Sequence, residues 1–170
     1  MKRLFFLTAV CLGLIAFNSC EKLTDEYRPF TFSTPGGGTR TVQFKSDTDT
    51  GSDVIDAHFT VPSDIDGAVF TSVFYSKGKM VDENICLFMY LKEKSLVAGK
   101  EPEIERLDFG FMLSSDSRDY TDTFKGSIHV RKYNKNELVL RFNRVTFEVG
   151  KGPCRFNGDL VFTPRRETIE

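Results

Sequence analysis

Few side chains in this chain of 170 residues have the types and spacing that chemistry needs. The two histidines, His58 and His129, each sit between apolar residues of an alternating stretch. A catalytic histidine needs a nucleophile and an orienting acid beside it. Neither a Gly-x-Ser-x-Gly elbow nor a His-Glu-x-x-His helix motif occurs in the sequence. A zinc site built on two histidines would also need carboxylate or thiolate help. Both histidines therefore read as polar strand residues facing solvent or a neighbour. Asp47, Asp49 and Asp53, with Gly51 between them, have oxygen ligands spaced like part of a calcium loop. They lack the later acidic anchor of an EF-hand, and the same residue types make an ordinary solvated turn. Asp64 with Asp66, and Asp116 with Asp119, are acid pairs of the kind glycosidases use, but they also fall in turns. Tyr75, Tyr90, Tyr120 and Tyr133, with many phenylalanines, could line a ligand surface or fill a core. No cofactor motif emerges, and the expectation is a protein that is not an enzyme.

These residues must be positioned by strands. Phe30–Phe32 and Arg40–Lys45 flank the turn Pro35-Gly36-Gly37-Gly38. Apolar and polar residues alternate over 55–61 and again over 107–113. The stretches 68–75 and 85–91 are apolar on both faces, with Phe70 and Phe74 in the first and Cys86, Phe88 and Tyr90 on the second face of the other. Such strands sit mid-sheet with cover on each side. The candidates for cover are the loop or short helix around Lys94–Lys100 and an oligomer contact. Residues 114–119 read as a polar turn. Strands follow over 124–131, 138–149 and 156–162, and the parity of the long one slips near Asn143-Arg144, as a β-bulge would produce. The fold class is all-β, with about nine antiparallel strands at hairpin spacing. A single β-sandwich is expected, with a calycin-like β-barrel as the alternative, because the last four strands form a continuous meander.

The amino end carries an address. Lys2 and Arg3 precede an uncharged apolar run, Leu4–Phe17, followed by Asn18, Ser19 and Cys20 and then a polar stretch. This is the composition of a secretory signal, too short for a membrane span of about 20 apolar residues. The whole chain has 23 Lys+Arg and 24 Asp+Glu; removing Lys2 and Arg3 leaves 21 against 24, a net charge near −3. That balance argues against nucleic acid as a partner, which needs a basic footprint. Arg141, Arg144, Arg155, Arg165 and Arg166 give the last strands a basic bias, read as a solvated outer face. Cys11 leaves with the signal. Cys86 and Cys154 are either joined by a disulfide, closing a long loop worth up to about 4–5 kcal/mol, or buried as thiols on separate strands.

Ala16-Phe17-Asn18-Ser19-Cys20 resembles the lipobox of bacterial lipoproteins, of a loose form like that of the Bacteroidetes. The resemblance implies cleavage before Cys20 and lipidation of its thiol, and acidic Glu21, Asp25 and Glu26 suit display on the outer surface. Residues 30–44 resemble the opening hairpin of immunoglobulin-like domains of the BACON type, which implies an immunoglobulin-like sandwich. The expected organisation is a signal peptide (1–19), a lipidated tether (20–28), one all-β domain (29–164) and a charged tail (165–170). The implied partners are a membrane, through lipid on Cys20, and an envelope protein or glycan bound by a non-catalytic domain. The implied place is the cell envelope, at the outer membrane, periplasmic or surface-exposed. A lipocalin-like carrier of an apolar small molecule and a small envelope hydrolase are the competing expectations.

Overall fold

The computed structural model describes residues 27–42, 53–77, 84–114 and 117–165. Ten strands follow one another: β1 (Phe30–Ser33), β2 (Thr39–Val42), β3 (Asp53–Thr60), β4 (Ala68–Lys77), β5 (Asn84–Lys92), β6 (Ile104–Ser114), β7 (Ser117–Thr121), β8 (Lys125–Asn134), β9 (Glu137–Val149) and β10 (Gly152–Pro164). A 3-10 turn, Glu93–Ser95, stands where a loop or short helix was expected. The all-β expectation holds. A two-sheet sandwich of immunoglobulin type is not confirmed. The strands make one mixed sheet, in the order β2-β1-β10-β3-β4-β5-β6-β7, with β9 on the other edge of β10 and β8 beyond β9. The sheet curls strongly into a half-barrel.

The curl has local causes. The parity slip at Asn143-Arg144 is real: the β9–β10 register jumps from Phe156↔Val145 to Gly158↔Phe142, and Arg144 takes a positive φ of 50°. The β8–β9 pairing slips beside it, between Lys125 and Ser127. Each bulge adds a residue to one strand and increases the twist. The curl places β6 opposite β9 across the interior, where Phe109 and Phe147 stack with centroids 4.2 Å apart. Phe30, Phe32, Phe142, Phe156 and Phe162 are buried in the same core.

The half-barrel joins through small contacts. β10 meets β3 in parallel over only two register pairs, Thr163↔His58 and Pro164↔Phe59. On the far side the β5–β6 connection covers the open edge of β8. The Gly99 amide donates to the Val130 carbonyl at 2.7 Å, and the Val130 amide donates to Lys100 at 2.8 Å. A covered edge cannot template pairing with another chain. Leu96 of the same connection is buried with the core, and Tyr133 donates its hydroxyl to Glu93 at 2.7 Å. Burial first, and the Glu93 carboxylate second, push the Tyr133 hydroxyl pKa up.

The amino-terminal segment is clamped to the outside of β9–β10. Asp159, almost fully buried, takes two hydrogen bonds from Arg141 at 2.7 and 2.8 Å. It also accepts the Arg28 amide at 2.8 Å, while its own amide donates to the Arg28 carbonyl at 3.1 Å. Gly158 has a φ of +105°, and a Cβ there would run into the Pro29 carbonyl. Farther back, the Tyr27 hydroxyl donates to Glu137 at 3.1 Å. The chain thus enters the domain across the outer face of β9 and β10.

Candidate outer-face aromatic site

β4 and β5 carry apolar residues on both faces, and the structure separates the two sets. Val69, Val73 and Tyr75 of β4, with Ile85, Leu87, Met89 and Leu91 of β5, point into the core and are buried. Successive strand residues alternate faces, so Phe70, Phe74, Cys86, Phe88 and Tyr90 point outward. The register sets Phe70 opposite Tyr90 and Phe74 opposite Cys86. Phe88 joins the rings: it stacks on Phe70 at 5.9 Å and meets Phe74 edge-on at 5.4 Å. Phe70 lies 4.9 Å from Tyr90. The Arg106 guanidinium of β6 sits 6.0 Å from the Tyr90 ring, while its Nε donates to Asp108 at 2.8 Å.

β7 extends the surface. Residues 117–121 form a strand, where a polar turn was expected, and bring Tyr120 opposite Gly110. The ring lies so close that a Cβ on Gly110 would stand 2.8 Å from it. Glycine is what lets that ring lie flat along the sheet. Phe74 remains 41% exposed and Tyr120 61% exposed. The result is an aromatic row of four touching rings on β4 and β5, with Tyr120 set beyond them over Gly110 of β6. The segment around Lys94–Lys100, one of the two candidates for cover, turns toward β8 and sends Leu96 into the core.

The histidines lie elsewhere. His58 Nε2 is 2.5 Å from Asp56 Oδ1, and its Nδ1 is 3.1 Å from the Thr163 hydroxyl. The order carboxylate, imidazole, hydroxyl matches a nucleophilic relay in outline. These groups lie on the outer face where β3 meets β10, with Asp56 and Thr163 exposed. The chain reads as a bridge across the two-residue parallel joint. His129 contacts the Ser127 hydroxyl at 3.1 Å and lies 3.7 Å from Glu101. The two histidines are not brought together.

The other sequence-derived candidates resolve as follows. No disulfide joins Cys86 and Cys154. Cys154 alternates with outward Arg155 and is buried in the core, whereas Cys86 alternates with buried Ile85 and Leu87 on the outer face. Their side chains leave the sheet in opposite directions, which a disulfide's short Cβ separation does not allow. Cys20, Asp47 and Asp49 lie outside the described residues, as does Asp116. Asp53 opens β3 opposite Lys77. Among the described residues no group of three or more His, Cys, Asp or Glu is placed to hold a metal ion. Asp64 and Asp66 are exposed in the β3–β4 turn. Two shallow hollows, each of about 360 Å³, flank β6. One is lined by Arg106, Asp108, Asp122 and Phe124, the other by Ile65, Asp66, Lys92 and Glu105. Both are polar-rimmed and open at the surface.

The sequence marks the phenylalanines of the aromatic row but leaves open whether they line a surface or fill a core. The signal was present in two strands apolar on both faces. Tyr120 was missed as a strand residue because its neighbours, Ser117, Arg118, Asp119 and Thr121, are all polar. Among the described residues no helix is long and apolar enough to cross a membrane. Scans against protein-family models, curated proteins and solved structures return no match for this chain.

Proposed function

We propose that this chain is a lipid-anchored envelope protein whose β-domain binds a protein partner through the aromatic row of β4, β5 and β7. The single observation that carries the reading is the ring-contacting set Phe70, Phe74, Phe88 and Tyr90, with Tyr120 beyond it over Gly110, on a sheet face that no described segment covers. A contiguous apolar patch on a folded surface marks a site of interaction. Aromatic residues and Arg are also the side chains enriched in the core of protein interfaces, and Arg106 stands at the edge of the row. The anchor rests on the signal-like run to Phe17 and the lipobox resemblance at Ser19-Cys20. One acyl chain would hold only marginally; the lipoproteins this resembles carry three.

The carrier reading has less support. A lipocalin-like protein needs an apolar cavity inside its barrel, and here buried phenylalanines fill the interior.

Site-specific photo-crosslinking tests the partner. A benzophenone side chain at position 74 or 120 is expected to trap one protein in intact cells, and the same group at exposed position 94 is not. Crosslinking that is equal at all three positions sinks the proposal. A glycan partner would instead appear as retardation in polysaccharide gels without a protein adduct. Anchoring is tested separately: Cys20→Ala should move the protein out of the membrane fraction.

A further inference from the structure

We infer that the outer face of β8, β9 and β10 is a membrane-facing surface that binds anionic, phosphate-bearing lipid headgroups. The charge of the chain is divided unevenly. Residues 125–165 hold nine Lys and Arg against three Asp and Glu, a surplus of six positive charges in a chain whose total is −1. Each of the three acids is already engaged by a cation of the same strands. Glu148 pairs with Lys125 at 3.3 Å, Glu137 with Lys132 at 2.6 Å, and Asp159 with Arg141. Of the remaining cations, Lys135, Arg144, Lys151, Arg155 and Arg165 are exposed. Arg155 points outward from β10 between buried Cys154 and Phe156, Lys151 is exposed in the β9–β10 turn, and Arg144 is exposed at the bulge.

The path of the chain says what covers this face. Arg28 is held to Asp159 and Tyr27 to Glu137, so the amino-terminal segment arrives along the outside of β9–β10. Cys20 stands seven residues before Tyr27, a reach of at most about 25 Å for extended chain. This step rests on the lipid-anchor reading proposed above. An acyl group on Cys20 would bring the bilayer surface within that distance of the basic face. Phe109 of β6 touches Phe147 of β9 across the core, so the outer faces of these two strands look away from each other. The basic face then meets the membrane while the aromatic row faces outward. An anionic leaflet attracts each nearby Lys or Arg by an amount that adds over a cluster and falls off within a Debye length.

Vesicle co-sedimentation of the unacylated Cys20→Ala chain tests the face without the anchor, so its result does not depend on whether Cys20 carries lipid. Binding is expected to vesicles containing equal phosphatidylglycerol and phosphatidylcholine, and not to phosphatidylcholine alone, and raised salt should abolish it. Lys151→Glu with Arg155→Glu should weaken binding by about 30-fold or more. Lys77→Glu with Lys92→Glu, the same change in net charge on β4 and β5, should leave it within about 3-fold, because those strands belong to the part of the sheet that lies across the core from β9. Unchanged circular dichroism and Tm establish that both variants fold. Equal binding to neutral vesicles, or equal loss in the two double variants, overturns the inference. So does binding to a soluble polyanion that vesicles fail to displace.

Discussion

Phe109 and Phe147 stack with 6° between their ring planes although their strands share no hydrogen bond. The pair closes the interior of a sheet whose edges remain apart, so the curl is held by side chains where backbone pairing ends. Truncation at such a point should leave a cavity that cannot collapse. Phe147→Ala is expected to cost about 3–5 kcal/mol, read as a lower urea midpoint at unchanged m-value. Phe124→Ala removes a half-buried ring whose centroid is 6.0 Å from that of Phe147, and it should cost clearly less.

The Arg141–Asp159 pair is buried and two-pronged, so removing one partner strands the other. Asp159→Asn is expected to destabilise the domain by about 3–5 kcal/mol. Burial alone would raise the Asp159 pKa, but hydrogen bonds from Arg141 and the Arg28 amide, with the charges of Arg141 and Arg131, hold it below the usual carboxylate value. A depressed folded-state pKa gives stability that is complete above the ordinary carboxylate range and is lost as pH falls through the folded value. Acid titration of unfolding should therefore steepen below about pH 4 in the natural chain. In Asp159→Asn that part of the slope should vanish; a slope the same in both chains would show that the pair does not set acid stability.

Gly158 is required by both its φ and the closeness of Pro29. Gly158→Ala should cost more than about 1–3 kcal/mol, since backbone has to move. The Asp159 amide, which bonds to Arg28, should then exchange its hydrogen faster than amides of β5. Unchanged exchange at that site would mean the amino-terminal segment is not held by this notch.

On the aromatic row, binding and stability should separate. Phe74→Ser and Tyr120→Ser are expected to change stability by less than about 1 kcal/mol. Loss of an interface anchor commonly costs about 2 kcal/mol or more of binding, so crosslinking through the remaining face should drop sharply. Stability loss as large as that of Phe147→Ala would mark these rings as core.

The two cysteines make a simple redox prediction. Reductant should leave Tm unchanged. At neutral pH, half-buried Cys86 should react with a thiol reagent before buried Cys154 does, as followed by intact mass. A fall in Tm on reduction would point to a bond between them.

What the sequence made legible was whatever local alternation decides. The hairpin of β1 and β2, the long strands β9 and β10, and the slip at Asn143-Arg144 were all readable from residue types, because side-chain period and bulge geometry are local. How the strands close on one another was not readable. Sandwich and half-barrel use the same alternation, and the difference lies in non-local contacts such as Phe109 with Phe147 and the parallel Thr163–His58 joint. The aromatic row was half legible. Phe70 and Phe88 announced a second apolar face, but only the actual path of residues 93–103 shows that nothing in the described chain lies over it. The basic face could be counted from Lys125–Arg165, yet its link to the amino terminus depends on Asp159 gripping Arg28.

β1 pairs with β10, Thr31 against Asn157, so the first strand waits for the last. Contacts of such sequence separation carry a large loop-closure cost and fold slowly. A chain emerging amino end first cannot complete this sheet until nearly all of it is out. The order of strands thus leaves the domain unfinished until its last strand arrives, and the joining of β1 to β10 becomes the step that completes it.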